Sequence, residues 1–97
     1  MKVSFDFDGT LSRSDVQNLA KFLISNNIEV WIVTSRTDTE TALQRGWHWV
    51  KAQNETLYKV ATECGIRPNN IYFTDHCDKI EFLEGKGFIF HIDDDSD

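Results

Sequence analysis

Two short apolar runs, one near each end of the chain, lead directly into aspartates, and this pairing constrains the fold more than any other feature. Residues 3–10 read Val-Ser-Phe-Asp-Phe-Asp-Gly-Thr, and residues 88–95 read Phe-Ile-Phe-His-Ile-Asp-Asp-Asp. Side chains of a strand alternate between its faces, so Asp6 and Asp8 would share a face if the first strand ran on. Gly9 interrupts it, which puts the pair at a strand-to-loop transition where backbone can approach a ligand. Neighbouring carboxylates resist ionising together without a cation or a shared proton. At about 4 Å and an effective dielectric near 20, each such pair repels by roughly 4 kcal/mol. If both runs are strands of one parallel sheet, their acids meet at its carboxyl edge, where open α/β sheets bind ligands. A hard divalent cation would relieve such a cluster, and Mg²⁺ takes one or two carboxylates plus water and substrate phosphate. Taken singly, the same residues also suit a solvated turn after the first strand and a solvated acidic tail after the last.

Between the two runs, strand and helix patterns alternate. Ser14-x-x-Gln17 reads as a capping box, followed by Val16, Leu19, Ala20 and Leu23 at helical spacing and by turn chemistry at Asn26-Asn27. Residues 28–33 read as a buried strand leading into Thr34-Ser35-Arg36. Thr37-x-x-Glu40 marks the start of a second helix running toward Val50, weakened by Gly46. Another helix is expected from near Asn54, with Leu57, Val60, Ala61 and Cys64 as its stripe, Gly65 as its stop and Pro68 beyond. Residues 71–73 form a short third strand. A short helix over residues 77–84 should turn Ile80 and Leu83 inward, with Gly85 and Gly87 before the fourth strand. Strands alternating with helices imply parallel pairing through right-handed crossovers. The expected fold is therefore α/β: a three-layer Rossmann-like sandwich, one domain over residues 1–97, with a short, mainly parallel sheet of about four strands.

Composition narrows the partners. A chain of 97 residues that is 40% hydrophobic is long enough for one small core. Its net charge of −6 and lack of a Lys/Arg stripe argue against general binding to a nucleic-acid backbone. No run approaches 18 apolar residues and no charged-then-apolar leader precedes the first strand, so no membrane association is expected. Cys64 and Cys77 lack metal-ligand spacing and read as reduced thiols, which points to a cytoplasmic protein. His76 and His91 have no third ligand at metal spacing, and His91 sits in its apolar run as an ordinary strand residue.

Asp6-Phe7-Asp8-Gly9-Thr10 resembles the first motif of the haloacid dehalogenase-like superfamily in its phosphatase form, Asp-x-Asp-Gly-Thr. Three further matches fall in the family's order: Thr34 after the second strand, Lys79 in the helix before the last strand, and Asp93-Asp94 after that strand. The first motif is fairly specific, the second and third are weak alone, and the four together span nearly the whole chain.

The resemblance implies a Mg²⁺-dependent phosphohydrolase acting on phosphate monoesters through an aspartyl-phosphate. Asp6 would be the nucleophile and Asp8 the general acid and base. Mg²⁺ would be held by Asp6, the Asp8 carbonyl and Asp93, with Asp94 binding through water or orienting a ligand. Thr34 and Lys79 would hold the phosphoryl oxygens, with Gly9 and Thr10 supplying backbone N–H groups. Ser35 rivals Thr34 as the second-motif hydroxyl, because some members place it next to an Arg, as Ser35-Arg36 does. Arg36 and Arg45 are further anion contacts on the same reading. Without the family frame, Thr34 also suits a helix cap and Lys79 a solvated helix face.

Little chain separates Gly9 from the first helix, and residues 38–52 make only one short insertion, so a capless member with an open site is expected. Relatives in the family continue past the fourth motif into a further helix and strand, so the fourth strand here is expected to be a sheet edge, coverable by a homodimer. Trp47 and Trp49 would stack on a nucleobase, pack in the core, or form a dimer contact. On the first of these the substrate is a nucleotide or a phosphorylated polynucleotide end. A catalytically weak Mg²⁺- and phosphoryl-binding or regulatory module is the alternative function. A receiver-type domain with Asp75 as phospho-acceptor is a third.

Overall fold

The computed structural model describes residues 1–93, and the expected ligand Asp94 lies outside them. Four strands, β1 (Lys2–Phe5), β2 (Glu29–Thr34), β3 (Ile71–Phe73) and β4 (Phe88–Ile92), form one sheet in the order β3-β2-β1-β4. Every pairing is parallel. The helices are α1 (Ser14–Ser25), α2 (Thr39–Gln44), α3 (Trp49–Cys64) and α4 (Lys79–Leu83). The α/β class and the four-stranded parallel sheet are those expected from the alternating patterns.

The two faces of the sheet are covered unequally. On one, Val3, Phe5, Val30 and Ile32 pack against Ala20 of α1 and Leu57, Ala61 and Cys64 of α3 to form the buried core. Alternation sends Trp31, Tyr72 and Phe88 to the other face, where Phe82 of α4 meets them; the Phe82 and Tyr72 rings stack at 3.8 Å. Strand order reverses at β1, whose two neighbours are β2 and β4. The crevice that such a reversal opens at the strand carboxyl ends is the usual ligand position in these sheets. Among the described residues β4 pairs with β1 alone, as an edge strand, with Ile89 and Phe90 about half exposed.

Several local expectations are corrected. Ser14 is the first residue of α1 rather than its cap; Arg13 precedes the helix without a side-chain cap, and the nearby serine that caps a backbone group is Ser12, accepting from the Gly9 N–H. The helix expected to run toward Val50 stops at Gln44, because Gly46 takes a left-handed conformation (φ 80°). Asp38, not Thr37, caps it, accepting from the Thr41 N–H at 3.1 Å. The next helix begins at Trp49, five residues before Asn54. Ile80 is 64% exposed rather than inward, since Phe82 is the residue of α4 that reaches the sheet. Gly65 closes α3 with φ 90°, as its position predicted.

Candidate active site

The site assembles where β1 ends. Asp6 is 8% exposed, and its backbone N–H donates to the Ile92 carbonyl at 2.9 Å, tying β1 to the end of β4. Its Oδ1 accepts from the Phe7 N–H at 2.8 Å, which fixes the carboxylate's orientation. Residues Phe7–Leu11 then make a wide turn closed by hydrogen bonds from Leu11 N–H to Asp6 O and from Ser12 N–H to Phe7 O. Gly9 sits in it at φ 73°, a conformation that side-chain-bearing residues rarely adopt. The turn also buries Thr10, whose hydroxyl oxygen has no partner among the described residues.

Asp6 and Asp93, 87 positions apart in the chain, converge on one cation. Lys79 Nζ lies 3.3 Å from Asp6 Oδ2 and 3.0 Å from Asp93 Oδ2. Burial pushes the Asp6 carboxyl above the ordinary range; Lys79 pulls it down and Asp93 adds to the rise. For Lys79, burial opposes the charge, but the hydrogen bonds to Asp93 and Asp6 outweigh it and its pKa rises. His91 stands behind the cluster, with Nδ1 2.7 Å from Ser4 Oγ and Nε2 3.5 Å from Asp93 Oδ2. Burial, and then the Lys79 charge, push its pKa down, so the ring is neutral at pH 7.

Asp8 points elsewhere. Its side chain is 60% exposed and is held by Arg36 in a two-pronged pair, Nε to Oδ2 at 2.8 Å and Nη2 to Oδ1 at 2.6 Å. Arg36 is itself braced, with Nη1 donating to the Gln53 carbonyl at 2.8 Å and its guanidinium 4.9 Å above the Phe7 ring. Asn54, fully buried in the middle of α3, accepts from the same Nη1 at 3.4 Å and donates to the Thr37 carbonyl and Thr39 Oγ1.

Thr34 and Ser35 differ in placement. Thr34 is fully buried, and its hydroxyl accepts from the Arg36 N–H at 3.3 Å. Ser35 lines an open cleft of about 490 Å³ together with Lys79, His91 and Asp93. The structure thus brings Asp6, Lys79, Asp93 and Ser35 to one place, with Asp8 and Arg36 on its flank. Arg45 is engaged elsewhere; it forms a two-pronged pair with Asp75, which also accepts from the Thr37 hydroxyl. The hydrogen bonds from Arg45 and Thr37 hold the Asp75 carboxyl down at about 2, and both of its oxygens are occupied.

Sequence reasoning did not find Asn54, the Asp75 bridge or the Ser4–His91 bond. Asn54 carried a helix-start signal, and only tertiary contact reveals it as a buried polar anchor. His91 inside an apolar run was the available clue to a buried ring with a polar partner.

The donor set suits a hard cation. Two carboxylates converge at the sheet edge beside an open cleft, which matches Mg²⁺ coordinated by one or two protein oxygens and completed by water and phosphate. Among the described residues no group of three or more His, Cys, Asp and Glu gathers as a metal cluster.

Fold and site together define a parallel α/β domain with an acidic, lysine-bridged centre at its carboxyl edge. No family model, no curated protein and no solved structure matches the chain. No helix among the described residues is long and apolar enough to cross a membrane.

Proposed function

We propose that this chain is a small Mg²⁺-dependent phosphohydrolase of the haloacid dehalogenase-like kind, cleaving phosphate monoesters through a covalent intermediate on Asp6. One observation carries the reading: two carboxylates from opposite ends of the chain share Lys79 beside an open cleft, with a second first-motif aspartate on the flank. In the first step the Asp6 carboxylate attacks phosphorus, the P–O ester bond breaks, and the leaving oxygen takes a proton from Asp8. In the second, water attacks the phosphoryl group, Asp8 takes the proton, and the Asp6–phosphorus bond breaks. Lys79 and the Ser35 hydroxyl hold the phosphoryl oxygens, aided by the backbone N–H of Thr10 and, once it leaves the Ser12 hydroxyl, that of Gly9. Thr34 acts behind them, its hydroxyl fixing the backbone of Arg36. Asp6 and Asp93 would hold Mg²⁺, which would neutralise charge on the phosphoryl group.

The Arg36 pair bears on Asp8's role. Arg36 occupies both Asp8 carboxylate oxygens, so delivery of a proton requires this pair to open when substrate arrives. The same pair favours a second reading, a module that binds Mg²⁺ and a phosphoryl group and turns over little. Hydrolysis of p-nitrophenyl phosphate, with Mg²⁺ and with EDTA, for wild type and Asp6→Asn, separates the two. Turnover lost both in EDTA and in the variant is the expected result. Mg²⁺ binding without turnover in the wild type overturns the enzyme reading in favour of the module.

A further inference from the structure

A second cleft opens on the other side of Arg36. It holds about 290 Å³ and is lined by Arg36, Thr37, Trp47, Trp49, Gln53 and His76, together with Val50. That volume is near the lower end of the range for small-ligand pockets, enough for one planar ring system and a sugar. Three features give it a direction. Arg36 is a wall of this cleft and also grips Asp8 through both carboxylate oxygens, so the cleft begins where the general acid stands. Its aromatic side is well supplied: the Trp47 and Trp49 rings lie 6.5 Å apart at 29°, Arg45 covers Trp47 at 5.0 Å, and Trp49 is 62% exposed. Its lining also carries the polar side chains of Gln53 and His76, and His76 is presented by a left-handed backbone (φ 65°) next to another at Asp75.

Trp49 presents an apolar ring beside polar side chains in one cleft, the combination found in small-ligand sites. A flat ring stacks on Trp49, and hydrogen-bonding groups on its edge meet Gln53 and His76. Nucleobases have both properties, a π-face and a donor–acceptor edge. A phenyl ring has only the first.

We infer that this cleft is a nucleobase subsite, and that the leaving group delivered to Asp8 is a nucleoside hydroxyl. The inference rests on the phosphohydrolase reading for the reaction, but not for the binding. The leaving oxygen must lie against Asp8, so the body of the leaving group extends past Arg36 into the aromatic cleft. Phosphate and base are then bound on opposite sides of the Asp8–Arg36 pair, and the arriving substrate is what parts that pair.

The test has two arms. First, the indole N–H resonances of the ¹⁵N-labelled protein are followed during titration with adenosine and with uridine, neither of which carries a phosphate. Trp47 and Trp49 should shift while Trp31, on the far face of the sheet and bonded to Glu29, serves as the internal reference. Second, kcat/KM is compared for nucleoside monophosphates and for glycerol phosphate, in wild type and in Trp49→Leu. Base stacking on an aromatic side chain is worth about 10- to 100-fold, so the variant should lose that factor on nucleotides and keep its rate on glycerol phosphate. Trp49 is exposed enough for the variant to fold, and unchanged resonances for Trp31 verify it. No indole shift at millimolar nucleoside, or an equal loss on both substrates, overturns the subsite. So does a preference for phosphotyrosine over nucleotides. Nucleoside-induced shifts in a protein that hydrolyses no phosphate ester leave the subsite standing and refute the phosphohydrolase instead.

Discussion

Replacing Lys79 with Met keeps the length of the side chain and removes the one charge that separates Asp6 from Asp93. At 3.3 and 3.0 Å and an effective dielectric near 20, the two lost attractions are each about 5 kcal/mol before solvation is counted. Desolvation of the ammonium offsets much of this. Removing one partner of a well-buried ion pair costs 3–5 kcal/mol, and these side chains are 11–24% exposed, so about 3 kcal/mol at pH 7 is expected. With a denaturant slope near 1.5 kcal/mol/M, the urea midpoint falls by roughly 2 M. The pH dependence has a definite sign. The Asp6 pKa is already raised in the folded protein, so its contribution favours folding at low pH and is lost as pH rises through the folded value. Without Lys79 that folded value climbs further, and the deficit of the variant is largest at neutral pH and shrinks toward pH 4. Loss of Lys79 also removes a charge that depresses the His91 pKa, which acts in the same direction. Millimolar Mg²⁺ should raise the midpoint of the variant more than that of the wild type, because it replaces the missing charge. Equal midpoints for the two proteins at pH 7, or a deficit that grows in acid, would refute the electrostatic account.

Asn54→Leu should lower stability by about 2–4 kcal/mol in urea unfolding, since it leaves the Thr37 carbonyl and Thr39 hydroxyl without their buried donor. Gly65→Ala should cost about 1–2 kcal/mol by thermal unfolding: the added Cβ meets Ile24 only at an ordinary 3.8 Å, so the penalty is the left-handed backbone at φ 90°. Thiol titration of the native protein should label the exposed Cys77 promptly and Cys64 only on unfolding, because burial both covers Cys64 and raises its pKa.

The sheet was legible because each strand has a local signature, an apolar run ended by Asp, Thr-Ser-Arg or Thr-Asp, and parallel order follows from the helices between. Asp6 and Asp93 were legible as neighbours because alternation puts both strand ends at one edge, whereas Lys79 joined them only through the family resemblance. What escaped the sequence depended on contacts between distant segments. The start of α3 was misplaced because Asn54 has the chemistry of a cap, and only its partners at Thr37 and Thr39 reveal that it serves a neighbouring loop. Thr37 has the chemistry of a cap but binds Asp75, leaving the role to Asp38. Periodicity points Ile80 inward, but a helix of five residues has too few turns to fix a face.

The strand that delivers Asp93 has consequences for how the protein is made and how it fails. β1 meets β2 across about 27 residues, but it meets β4 only across some 87, the longest loop the fold closes. Closing it costs about 4 kcal/mol of chain entropy against about 3 for the shorter one, and the reward arrives on a single side, since among the described residues β4 has no outer neighbour. The Asp6 and Asp93 carboxylates are therefore expected to come together last during folding and to part first during fluctuations. Amide exchange in β4 should run ahead of exchange in β2, with the rest of the sheet intact beneath it. Loss of activity on warming would then precede loss of the globule, and the temperature interval between the two would measure the strength of this one seam.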